Sequence, residues 1–453
     1  MKLTIETFWQ GAWHTSANIA IPDEARGYRG PSIVDYDLDF FIRFAAADRH
    51  RNGEIRDARA LSVNHPVDLE NRYRETWPPF LLDLMPQGHA RRKLAEHMKL
   101  GVDARESDLP LLLRAGGNPI GNIRIAEAAK AEHDRLSGIR RAGVTEEDIF
   151  GRTDYFIEVV DRFGMIASGS SGLQGEWPKV ALTMAADGLY YPDAFVGDEE
   201  AVRHVIVKLL RSGNESDRLI LEAEAGYSVI AEELGLAVHE PSRYANGVLV
   251  IPRFDRKVTN GGVRRIGQES MVSAVGVADF GHLASHEDYI EILRRYSDDP
   301  FPDIAEYVKR DIANRALGNP DNHGRNTALS KGPEGGIALS PLFDFAPMRL
   351  APEGVARSTR WVAMRDTHRD TSPDWAEVCD AVFPDDADAA ARLLDEAIGF
   401  AERLRGVPAR AAELGIPREV IAIAMGDCAA VAESIINSHR RQAAPAPAPA
   451  PKG

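Results

Sequence analysis

The stretch from Ile304 to Phe345 constrains the fold of this chain more than any other. Ile304, Val308, Ile312 and Ala316 recur every four positions, which puts them on one helical face and predicts a buried stripe. That helix delivers a polar loop, Asn319-Pro320-Asp321-Asn322-His323-Gly324-Arg325-Asn326. Thr327 to Ser330 and Gly335 to Ser340 flank Lys331-Gly332-Pro333-Glu334, so a hairpin is expected between Asn326 and Asp344-Phe345-Ala346. Phosphoryl transfer needs this set of residues for a physical reason. An acceptor hydroxyl must be positioned and relieved of its proton, and triphosphate charge must be neutralised by oxygen-liganded Mg²⁺. The spacing predicts Asp321 as the base and Asn326 and Asp344 as the metal ligands. The bland alternative makes Asp321 and Asn322 turn caps, Asn326 a strand opener and Asp344 a helix N-cap.

Length and charge bound the rest. A chain of 453 residues can hold two or three compact units with substantial cores. A formal charge of −15 argues against nucleic-acid binding through the whole surface field. Local basic patches remain open at Arg91-Arg92-Lys93 and at Arg135, Arg140 and Arg141, which otherwise read as solvated helix faces. Cys379 and Cys428 lie far apart, which excludes a disulfide framework or a Cys₄ metal site and fits a reducing compartment. Met1 to Glu6 lacks a signal-peptide pattern, and no long uncharged apolar run occurs, so a soluble cytoplasmic protein is expected.

The chain changes character along its length. Phe8-Trp9-Gln10-Gly11-Ala12-Trp13-His14 predicts a glycine turn between strand ends. Phe80 to Pro86 is a short apolar element, a helix follows through Arg91 to Lys99, and Ala126 to Thr145 reads as a helix plus linker. Residues 163–175 are rich in Gly and Ser and lead into a strand beginning at Lys179. A strand over 202–210, a helix over 215–236 and a strand over 247–254 then suggest a small α/β lobe around a nucleotide. From about residue 268 the pattern is mostly helical, and it ends in an Ala/Pro tail with nothing to bury.

Three further pieces bear on the same chemistry. Lys208 sits alone in the β-branched run Val205-Ile206-Val207-Lys208, and a helix carrying Glu222 and Glu224 follows. A buried Glu can hold such a lysine toward phosphates, although a strand lysine is also commonly an edge charge. Ser168-Gly169-Ser170-Ser171-Gly172-Leu173-Gln174-Gly175 could bring backbone N–H groups and hydroxyls to a phosphate, or be a plain loop. It is not a Walker A sequence. His323 could orient Asp321, or merely pack the loop.

Together these residues resemble the HipA family of bacterial serine/threonine kinases, the toxin half of HipA–HipB modules. The resemblance runs through Phe80–Gly88, Leu111–Asn122, Glu232–Leu236, Val250–Arg256, Gln268–Met271, Asn319–Asn326 and Ser340–Asp344. It implies an α+β, two-lobed protein-kinase-like fold with a small N-terminal α/β subdomain and a helical C-lobe. The expected units are an N-subdomain over 1–125, a nucleotide-binding N-lobe over 126–255, a catalytic C-lobe over 256–440 and a disordered tail over 441–453. It further implies ATP and Mg²⁺ as cofactors, with Asp321 and His323 as catalytic residues and Asn326 and Asp344 on the metal. Lys208, Glu224, Ser170, Ser171, Gly172, Gln174 and Lys179 would then lie around the nucleotide, with Glu224 fitting better than Glu222. Ser168, Ser170 and Ser171 are the autophosphorylation candidates. The implied partners are a HipB-like helix-turn-helix antitoxin, an aminoacyl-tRNA synthetase as protein substrate, and DNA only through the antitoxin.

Three departures stand out. Gly-Glu-Trp-Pro separates Gln174 from Lys179 where the family's loop is shorter, Arg325 stands where Lys is commoner, and Ser270 replaces the usual Asp. The alternatives carried forward are a small-molecule phosphotransferase, a catalytically silent kinase-shaped module sequestering an antitoxin/DNA partner, and a metal-dependent hydrolase built on Asp321 and His323.

Overall fold

A computed structural model of the chain describes residues 1–45, 50–51, 54–167, 177–362 and 373–442. The Gly/Ser loop with Ser168, Ser170, Ser171, Gly172 and Gln174, and the Ala/Pro tail from residue 443, lie outside these described residues.

The first strands, Lys2–Trp9 and Ala12–Ala20, pair antiparallel across Gln10-Gly11. Both turn residues have positive φ, 51° and 83°, as a tight hairpin matched to strand twist requires. Ser32–Tyr36 and Arg72–Arg74 extend this sheet on one side and Ile123–Ile125 on the other. Alternating residues such as Leu3, Ile5, Ala17 and Ile19 are fully buried, so one face meets the core. The apolar element at Phe80 forms the short helix Phe80–Asp83, with Phe80, Leu81 and Leu82 turned inward.

A second five-stranded antiparallel sheet has the spatial order Arg243–Ala245, Val248–Pro252, Ala201–Leu209, Lys179–Ala185 and Tyr190–Pro192. The helix Glu215–Glu233 follows the central strand. Its N-cap Asn214 accepts a hydrogen bond from the Asp217 N–H at 2.7 Å. Two helices that sequence reasoning did not separate, Glu146–Gly151 and Asp154–Ala167, precede the sheet. The expected Gly/Ser-rich segment from residue 163 is therefore helical as far as Ala167.

The remainder is mainly helical, as the pattern predicts. The helix Pro300–Ala316 buries Ile304, Val308, Ile312 and Ala316 completely. Its exit turns at Gly318, φ 65°, where a Cβ would lie 2.7 Å from the Ala424 backbone, so only glycine fits. The hairpin exists, as Ala328–Lys331 and Ile337–Leu339, but it belongs to a three-stranded sheet. Its third strand, Gly267–Ser270, corrects the expectation of helix from residue 268. Lys331 is likewise no solvated turn residue. It is fully buried, its ammonium 2.7 Å from Glu269 Oε2 and donating to the Ala60 carbonyl at 3.0 Å.

Candidate active site

A cleft of about 220 Å³ lies between the second sheet and the helical part of the chain. Ile206 and Ile251 are cross-strand partners, and both line it beside Val238, Phe254, Leu342 and Phe343. This apolar wall gives way to Lys179, Glu224, Asn326 and Asp344. A mostly apolar pocket with a few convergent charges is the usual form of a small-molecule site.

Strand register explains the charged end. Lys208 pairs directly with Lys179 on the neighbouring strand, so both side chains share a face. Two like charges in that position repel unless anions intervene. Glu224 lies 2.6 Å from the Lys208 ammonium, and Asp344 sits 3.3 Å from Lys208 and 3.6 Å from Lys179. Burial alone would lower the Lys208 pKa, but Glu224 and Asp344 outweigh it and hold the ammonium protonated. Enclosure would raise the Asp344 pKa, but Lys179 and Lys208 keep that carboxyl well below the usual range. Glu222 instead faces Arg218 on the helix exterior.

Asp344 is no helix cap. Its φ of 53° places a non-glycine residue in the left-handed region, a strained backbone that recurs at functional sites. Phe345, the next residue, packs with its ring tilted against the buried Tyr227 at a centroid distance of 5.4 Å and anchors the turn.

The loop from Asn319 to Asn326 closes the other side. The Asn326 N–H donates to the His323 carbonyl at 2.9 Å, and the Asn326 side-chain amide donates to the Asp321 carbonyl at 3.1 Å. That amide bond uses the nitrogen and leaves Oδ1 available as a hard donor. The His323 ring lies 3.4 Å from Asp321. Burial raises the Asp321 pKa above the ordinary carboxylate value, opposed by His323 and reinforced by the Asp344 charge. Gly324 is obligatory, since a Cβ there would fall 2.0 Å from the hydroxyl of buried Tyr289. Asp321, Asn326 and Asp344 line one small cavity.

Sequence reasoning offered Asn322 only as a turn cap and gave Asp83 no role. Asn322 accepts from the backbone N–H of Ser358 and Thr359 at 3.1 and 3.2 Å, and donates to the Thr359 carbonyl at 2.8 Å. Asp83, at the end of the helix Phe80–Asp83, accepts from Arg325 Nη1 at 2.6 Å and from Ser270 Oγ at 2.7 Å. Ser270 thereby gains a partner, and it also caps the short helix Met271–Ala274. Neither group had a local signal, because the bonds join residues distant in sequence. Arg253-Phe254-Asp255-Arg256, one of the segments that carry the resemblance, holds a buried ion network. Arg253 reaches Asp193 at 3.0 Å and Asp255 at 2.7 Å, while Arg256 binds the Pro119 and Gly121 carbonyls at 2.9 and 2.7 Å.

Among the described residues, no three His, Cys, Asp or Glu side chains gather as a metal cage. No helix among them is long and apolar enough to cross a membrane.

Comparison with known proteins bears directly on this arrangement. Residues 171–403 match the HipA-like C-terminal domain, and residues 37–126 match the HipA N-terminal domain. The chain belongs to the HipA family. Y4mE of Sinorhizobium fredii, whose curated name contains the word kinase, is 26% identical over 378 residues, covering 74% of this chain and 83% of Y4mE. The Shewanella oneidensis MR-1 HipA, solved as a toxin–antitoxin complex with HipB and operator DNA, superposes with a TM-score of 0.65 at 16% identity. That match spans 98% of this chain and 100% of the other, which supports a shared fold. The two-lobed, kinase-like α+β architecture expected of this HipA-family chain is the one observed.

Proposed function

We propose that the chain is an ATP-dependent protein serine/threonine kinase of a toxin–antitoxin module. The observation that carries this reading is the convergence of Asp321, Asn326 and Asp344 on one cavity beside the Lys208–Glu224 pair. In the proposed reaction the acceptor Ser or Thr hydroxyl oxygen bonds to the γ-phosphorus of ATP, the bond to the β-phosphate oxygen breaks, and ADP leaves. Asp321 accepts the hydroxyl proton, a task suited to a carboxylate whose pKa burial raises above the ordinary value. His323 orients Asp321. Lys208, fixed by Glu224, and Lys179 beside it hold the phosphates, and the wall of Ile206, Ile251 and Phe254 takes the base.

The donor set fits Mg²⁺. Asp344 is held ionised, and Asn326 keeps an amide oxygen available, two oxygen ligands of the kind Mg²⁺ takes when substrate phosphates complete its shell. Bound there, Mg²⁺ would neutralise charge on the transferring phosphoryl group. The resemblance and the HipA–HipB–DNA complex of the Shewanella relative support a HipB-like antitoxin as partner. Ser168, Ser170 and Ser171 are the proposed self-modified residues.

Intact-mass spectrometry before and after MgATP, with Asp321→Ala alongside, tests the reading. One added phosphate on the wild type alone, mapped to the 168–171 segment, is the expected result. Transfer of label from ATP to metabolites but not to protein would favour a small-molecule phosphotransferase. Absence of both transfer and ATP binding would favour a sequestering module.

A further inference from the structure

The catalytic-loop residue Arg325 is fastened by a carboxylate from the other end of the chain. Asp83 ends the helix Phe80–Asp83, whose Phe80, Leu81 and Leu82 are locked in the core, so its position is set by the first domain. Its Oδ1 lies 2.6 Å from Arg325 Nη1, and both side chains are largely buried, with exposures of 14% and 4%. The same carboxylate accepts from the Ser270 N–H at 3.0 Å and from Ser270 Oγ at 2.7 Å. The adjacent Met271 N–H donates to the carbonyls of Gly324 and Thr327, at 3.0 and 2.9 Å. One carboxylate therefore grips the loop twice: directly through Arg325, and indirectly through the Ser270–Met271 corner that holds Gly324 and Thr327. Asn326 lies between those two grips, and its own side chain closes the loop on Asp321.

We propose that Asp83 is a positioning residue of the active site, a first-domain clamp that sets Asn326 and Asp321 through Arg325 and Ser270. This rests on the kinase reading for its consequence, but not for its geometry. Charge-assisted hydrogen bonds in a largely buried setting are the strong ones, and a displacement of a metal ligand by a fraction of an ångström is costly. The first domain is thereby part of the catalytic apparatus.

Hydrogen–deuterium exchange on the full chain reads the clamp without needing activity. Asp83→Asn keeps the side-chain shape and removes the charge. It should raise exchange across residues 319–327 by roughly tenfold while leaving the 1–20 hairpin unchanged. Arg325→Gln, which breaks the pair from the loop side, should reproduce the same confined rise. Both variants should also need several-fold more Mg²⁺ for half-maximal ATP binding. Unchanged exchange over 319–327 would overturn the proposal. So would a rise spread through the first domain in both variants, since the pair would then be a general stability element. If the wild type neither binds MgATP nor transfers phosphate while the variants still loosen 319–327, the kinase reading falls and the clamp stands. If the wild type transfers phosphate and the variants' loop is unaltered, the clamp alone falls.

Discussion

The loop that carries Asp321 and the segment that carries Asp344 present the same functional group to one cavity, in opposite electrical surroundings. Asp344 faces two ammonium groups at 3.3 and 3.6 Å and is held ionised well below the ordinary carboxylate range. Asp321 is partly enclosed and feels the Asp344 charge, so its pKa is raised against the opposing influence of the His323 imidazole 3.4 Å away. Pushing the pKa values of two neighbouring acids apart is how one site obtains both a fixed anion and a proton acceptor. The backbones differ in the same sense. Asp344 sits in a left-handed conformation, whereas the Asp321 loop is laced by ordinary hydrogen bonds through Asn322 and Asn326. Residue type alone does not distinguish the two; their neighbours do.

The division can be broken most severely at Asp321. Asp321→Ala should lower kcat by about 10²–10⁴-fold, the usual worth of a general base, while calorimetry finds MgATP binding little changed. Next in size is Lys208→Met, which removes the ammonium shared by Glu224 and Asp344. Stranding a buried carboxylate should cost about 3–5 kcal/mol in a denaturant melt. The same change should weaken ATP binding.

His323→Ala sharpens the comparison through pH. A raised Asp321 pKa means that the base form is lost at higher pH than for an ordinary aspartate. His323 opposes that rise. Its removal should therefore move the acid limb of kcat further upward in pH. A pH–rate profile showing a downward shift would contradict the assigned electrostatics. The smallest effect is expected from Asn322→Ala, which frees the loop from Ser358 and Thr359. Thermal melting should show a loss of roughly 1–2 kcal/mol, and kcat should fall far less than in Asp321→Ala.

Much of the candidate site was legible in the chain. The resemblance implied Glu224 rather than Glu222, while the stripe Ile304, Val308, Ile312 and Ala316 and the hairpin after Asn326 followed from local periodicity and spacing. Those two depend on residues a few positions apart, where helix and strand geometry is fixed. The strand Gly267–Ser270 was not legible, because it is a strand only by pairing with residues near 330. Lys331 read as a turn residue for the same reason, since its partner Glu269 is supplied by that pairing.

By itself, then, the sequence determined which residue types cluster in a loop after a buried helix, and hence the class of chemistry expected. Only the tertiary structure set Lys179 opposite Lys208, shifted the pKa values of Asp321 and Asp344 in opposite directions, and brought Asp83 to Arg325. The physical reason is that pKa and position depend on distances between side chains, and the chain closes those distances only when its separate elements pack.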